Sequence, residues 1–197
     1  MSKYEILENL PWYADFSEWP KKEVRAFGKW FMENRYHRID VLRDHVRRDP
    51  DFANWEADYS PESLKPLSHW FEKNITTEPM PEEEIIKWTE ILKGKGAAAT
   101  WRISKESETL IFDTSIYFGE IMLRQLGLEW EQYINTTRNN VEYGLMIIHK
   151  DKYIRSPWSA MMTAGLEVVN GRYPCEELYN IYNIYMNSLS GNYRPFL

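Results

Sequence analysis

Apolar residues spaced three and four apart account for most of this chain, and strict alternation accounts for only a short part of it. Val24, Phe27, Phe31, Ile39, Leu42 and Val46 follow helical steps, with Arg35 interrupting the stripe. Pro20 suits the first position of that helix, which is expected to reach about Arg48 before Asp49-Pro50, as one long helix or a kinked pair. Ser60-Pro61-Glu62-Ser63 opens a second helix that buries Leu64, Leu67, Trp70 and Phe71, with Pro66 tolerable only if Ser63 is the cap. A third is expected over residues 82–93, where Glu82, Glu83 and Glu84 complement the helix dipole.

The pattern between about Lys105 and Leu126, with early Glu106 and Glu108, late Arg124 and Gly127 as the stop, predicts a long central helix. Leu128 to Ile134 then alternates as a half-buried strand, and Tyr143 to His149 reads as a second, joined by a turn at Asn139-Asn140. Ser156-Pro157-Trp158 caps a helix running to Asn170, and Pro174 starts a last one through Leu189. The pattern predicts an α+β class, mainly helical with a small antiparallel sheet near residues 128–150.

Two features bear on organisation. VRAFGKWFMEN (Val24 to Asn34) resembles LKPLSHWFEKN (Leu64 to Asn74) at an offset of 40, which is either a duplicated helix or shared helical patterning. Pro79-Met80-Pro81 is the one candidate boundary, between a helical N-terminal part and an α+β C-terminal part, but the aromatic faces on both sides need covering and favour a single domain. The nine tryptophans, at 12, 19, 30, 55, 70, 88, 101, 130 and 158, are spread along the chain rather than bunched, as fold anchors would be. The lead-in adds Leu10, Tyr13 and Phe16.

Composition narrows the function classes. At 43% hydrophobic and 27% charged the 197 residues are those of an ordinary globular protein. No apolar run approaches the roughly 20 residues of a membrane span, no signal peptide is visible, and the single Cys175 cannot form an internal disulfide, so a cytoplasmic setting is expected. The net charge of −6 divides evenly at residue 80, with 12 basic and 15 acidic residues on each side, which argues against a nucleic-acid partner.

The helix carrying Asp113, Tyr117, Phe118, Gly119 and Glu120 (D-x-x-x-Y-F-G-E), followed by Leu128-Glu129-Trp130, resembles a group of soluble bacterial proteins with no assigned activity. Their N-terminal half carries a W-F helix and an R-I-D-x-L segment, here Trp30-Phe31 and Arg38-Ile39-Asp40-Val41-Leu42. Proteins of this size and character often serve as immunity or antitoxin partners, an analogy of class.

On the central helix Asp113, Tyr117, Glu120 and Arg124 form one polar stripe at steps of four, three and four. If that face lies over Trp130, a sheltered groove with two carboxylates and a phenol results, suited to acid/base work. The competing reading is structural, with Glu120 and Arg124 at ion-pair spacing and Gly119 admitting another segment. Arg35 to Arg48 reads as an exposed basic face neutralised by Asp40 with Arg43 and by Asp44 with Arg47 or Arg48. His37 and His45 lack metal-ligand spacing, Gly94-Lys95-Gly96 lacks the phosphate-loop pattern, and Cys175 has only His149 in its half of the chain, so no metal, cofactor or thiol catalysis is expected.

Function is therefore expected to be protein binding, with a basic partner and an immunity-like inhibitor as the concrete form. The alternative is a small hydrolytic enzyme or ligand-binding protein using Asp113, Tyr117 and Glu120, with Trp130 as a wall. Self-association is a third reading.

Overall fold

Pro20 stands just ahead of the first helix instead of inside it: its carbonyl accepts from the backbone N–H of Glu23 and Val24 at 2.8 and 3.1 Å. From there α1 (Lys21–Val46) runs unbroken for 26 residues, about 39 Å. The computed structural model describes residues 4–8, 10, 15–93, 96, 98–138, 140, 142–150 and 153–189. Trp12, Tyr13, Gly94, Lys95 and Asn139 lie outside the described residues.

Ser63 is the residue before α2 (Leu64–Asn74), so Pro66 falls in the first turn, where its missing N–H has no helical partner to lose. The W-F-x-x-N segments of α1 and α2 share a detail, since Asn34 and Asn74 each donate to the carbonyl of the tryptophan four residues back at 2.8 Å. Helix α1 continues past Asn34, whereas α2 ends at Asn74. Next come β1 (Thr77–Pro79), α3 (Glu82–Leu92) and β2 (Trp101–Ile103); β1 and β2 pair antiparallel with Thr77 opposite Ile103. Pro79, expected only as a break, ends this two-stranded edge, where a proline costs no inner ladder bond.

Helix α4 (Lys105–Leu126) has the bounds its sequence predicts. Ser104 accepts from Ser107 N–H at 3.2 Å, and Gly127 closes the helix in the left-handed region at φ 64°. Then follow β3 (Trp130–Gln132), β4 (Met146–Lys150), β5 (Tyr153–Arg155), α5 (Pro157–Val169) and α6 (Glu177–Leu189). The three strands form an antiparallel sheet in the order β3-β4-β5, with Trp130 opposite Ile148 and Ile148 opposite Arg155. The class is mainly helical α+β. Helix α6 starts three residues later than Pro174 suggests, because Glu176 adopts φ 57° and turns the chain first.

Helix α4 is the hub. It packs against α1, α5 and α6, and fifteen of its residues are buried, including every one from Thr109 to Met122. Residues from both sides of position 80 enter one hydrophobic core, Val24, Leu42 and Trp70 alongside Ile111, Phe118, Met161 and Leu178. The tryptophans divide. Trp55, Trp70 and Trp158 are buried, Trp19, Trp30, Trp101 and Trp130 are half-buried, and Trp88 is on the surface at 47% exposure, so it is no anchor.

Candidate functional site

Asp113, Tyr117 and Glu120 of the α4 stripe are buried while Arg124 is exposed, and each of the four finds its own partners. Asp113 is wholly buried and accepts from Arg38 Nε at 2.8 Å, Arg38 Nη2 at 2.6 Å and the Tyr4 hydroxyl. Burial pushes its carboxyl up to about 6, against the pull of Arg38 and Tyr4. Arg38 also donates to a Glu5 side-chain oxygen and to the Glu5 carbonyl, both at 2.9 Å, which ties the N-terminal lead-in to α1 and α4.

One turn on, the Tyr117 hydroxyl shares a 2.6 Å hydrogen bond with Ser63 Oγ and accepts from Tyr59 N–H at 3.1 Å. Burial raises this phenol to about 12, so it holds its proton at neutral pH. Glu120 Oε1 accepts from Arg35 Nε at 3.1 Å and from Trp130 Nε1 at 2.9 Å. The Trp130 ring lies across Gly119, where a Cβ would collide with it. Arg124 does not pair with Glu120; its guanidinium stacks 3.3 Å from the centre of the Tyr59 ring. The structure thus joins Glu120 to Trp130, links Tyr117 to Arg124 through Tyr59, and leaves Asp113 in a separate cluster with Arg38 and Tyr4.

Trp130 lines an internal cavity of about 10 Å³ with Phe27, Phe31, Phe112, Ser115, Met146 and Trp158, room for a single water. Asp113, Tyr117 and Glu120 are not on its wall. Among the described residues, only Thr114 Oγ1 and Trp158 Nε1 are buried side-chain polar atoms without a hydrogen-bond partner. The motif residues meet one another instead: Arg38 with Asp113, Trp30 stacked on Phe112, and Phe31 edge-on to Trp130 at 4.9 Å.

Two charged or reactive regions differ from expectation. Arg38 belongs to the core at 1% exposure, not to an exposed basic face. Its signal was the seven-residue step from Phe31, which keeps it on the buried side of α1. Of the expected ion pairs Arg43 takes Asp40 at 2.7 Å, but Asp44 also goes to Arg43, at 2.9 Å, and Arg47 turns to Glu56 instead. His149 pairs with Glu131 rather than Cys175. Cys175 Sγ instead lies 4.0 Å from Nε2 of His69 on α2, with both residues exposed.

The exposed surface with the most unusual chemistry is α3. It hangs between β1 and β2 and is held at its base by Arg102, which pairs with Glu78 at 2.7 Å and Glu84 at 2.6 Å. Glu108 of α4 faces the same cluster, where burial raises its carboxyl to about 7, opposed by Arg102 and reinforced by Glu78. None of the residues of α3 is buried. Seven large apolar side chains are exposed among the described residues, and three of them, Ile86, Trp88 and Ile91, sit on this one helix at 54%, 47% and 53%. Glu82, Glu83 and Glu90 lie within a turn of Ile86, and with Glu84 against Lys87 the helix carries a formal −3.

No known protein family, curated protein or solved structure matches the chain. Among the described residues no group of three or more His, Cys, Asp or Glu is placed to hold a metal ion, and no helix is long and apolar enough to cross a membrane.

Proposed function

We propose that this protein is a protein-binding module that docks a basic partner on α3. One observation carries the reading: Ile86, Trp88 and Ile91 are exposed together on an acidic helix that contributes no buried residue to its own fold. Apolar side chains left in water mark an interaction surface; Trp88 and Ile91, three residues apart, share one side of α3, Ile86 lies on another, and tryptophan is among the residue types that most often dominate binding energy. The surrounding glutamates select a positively charged partner and speed its approach. A toxin-immunity-like inhibitor, acting in the cytoplasm where the lone Cys175 stays reduced, is the concrete form.

The hydrolytic alternative finds no support in the α4 stripe, because its carboxylates already accept from arginine and tryptophan donors inside the core. The test compares affinity capture from cell extract by the full chain and by a Trp88→Ala/Ile91→Ala variant, with circular dichroism as the check on folding. A basic protein retained by the former and lost by the latter supports the reading. Equal retention by both, or retention of acidic proteins only, contradicts it.

A further inference from the structure

A second surface has different chemistry. Between the N-terminal lead-in and the start of α1 runs an open groove of about 460 Å³, within the usual size range of small-molecule sites. Trp19, Phe27 and Trp30 form its aromatic wall, and Leu7 and Leu10 supply an aliphatic side. The wall is braced from the core: buried Phe16 packs on Trp19 at 5.4 Å and on Phe27 at 5.0 Å, and Phe112 stacks on Trp30 at 6.2 Å. The lead-in is pinned too, by Tyr4 and Glu5 on the Asp113–Arg38 pair and by Leu7 N–H donating to Thr109 Oγ1 at 3.2 Å. The groove is therefore preorganised.

Among the described residues its charged lining is Glu8 and Glu23, and neither pairs with a cation there. Aromatic faces attract cations through the ring quadrupole, and two unpaired carboxylates at the same groove add to that field while repelling anions. The leucines favour a ligand that also carries alkyl groups.

We propose that this groove binds a small alkylated ammonium compound, its cationic head against Trp19, Trp30 and the Glu8 and Glu23 carboxylates. The site lies on elements other than α3 and does not rest on the partner-binding reading.

Choline and its uncharged carbon isostere 3,3-dimethylbutan-1-ol separate charge from shape. Each is titrated into the full-length ¹⁵N-labelled protein while the indole N–H signals of Trp19 and Trp30, assigned through Trp19→Phe and Trp30→Phe, are followed. Choline is expected to shift both signals saturably and to bind about tenfold more tightly than the alcohol. A Glu8→Gln/Glu23→Gln variant, altered only at exposed positions, is expected to lose about fivefold or more in choline affinity while its affinity for the alcohol stays unchanged. Equal affinity for the two compounds, no saturable shift at Trp19 and Trp30, or unaltered choline binding in that variant overturns the proposal.

Discussion

Helices α3 and α4 draw on the same proportion of apolar residues, five of eleven and ten of twenty-two, and meet opposite fates. From Thr109 to Met122 the apolar and polar positions of α4 alike are enclosed, so Asp113, Tyr117 and Glu120 must each be supplied with donors or acceptors from distant parts of the chain. In α3 Ile85 and Leu92 are only half-buried, and Ile86, Trp88 and Ile91 remain in water with carboxylates around them. Apolar content therefore does not assign a role. What separates a stabilising helix from a presenting one is whether other elements close over it: α1, α5 and α6 pack on α4, whereas no residue of α3 is buried.

The largest expected effect attacks the α4 side of this comparison. Arg38→Met or Asp113→Ala alone leaves a buried charge without its partner and is expected to cost about 3–5 kcal/mol in urea unfolding. Combining Arg38→Met with Asp113→Leu removes both charges and is expected to recover most of that loss. Gly119→Ala comes next. It gains about 1 kcal/mol of helix propensity, but its Cβ displaces the Trp130 ring and breaks the indole bond to Glu120. A net loss of about 2–3 kcal/mol is expected, with a changed near-ultraviolet dichroism, as befits overpacking of a closed site.

A smaller effect probes the junction of the two helices. The folded protein holds the Glu108 proton up to about pH 7, whereas the unfolded chain releases it near 4.5. The folded state therefore binds more protons in that window, and this contribution to stability falls as pH rises from about 4.5 to 7. Glu108→Gln is expected to raise the melting temperature at pH 8 relative to the parent, with little difference at pH 4. The smallest effect belongs to α3 itself: Ile86→Gln, Trp88→Ala and Ile91→Gln should each change unfolding free energy by no more than about 0.5 kcal/mol, since none of these side chains is buried. A loss comparable to that of Gly119→Ala would show that α3 is a structural helix and erase the contrast.

Much of the fold was legible in local pattern. Helix α4 could be bounded because Glu106 and Glu108 mark its start and Arg124 and Gly127 its end, and Pro66 tied the start of α2 to Ser63 through its need for a first-turn position. Strands β1, β2 and β5, three residues each, were not legible, and Pro79 masked the first of them, whereas the equally short β3 showed within the longer alternation of Leu128 to Ile134. The stripe of α4 was legible as a stripe, but its meaning depended on contacts across 75 residues for Arg38–Asp113 and 85 for Arg35–Glu120, which no local period encodes. His69 beside Cys175, 106 residues apart, is the same kind of pairing. The exposure of α3 was hidden for the converse reason, since its apolar positions resemble those of helices that other elements do cover.

The most direct test places a photoactivatable phenylalanine analogue at position 88 and, as a control, at position 184, where Ile184 on α6 is exposed to the same 54% as Ile86. Crosslinking in intact cells is predicted to give one discrete adduct with a basic protein from position 88 and none from position 184. Adducts of equal yield from both positions, or from position 184 alone, would contradict the assignment of α3 as the partner-binding surface.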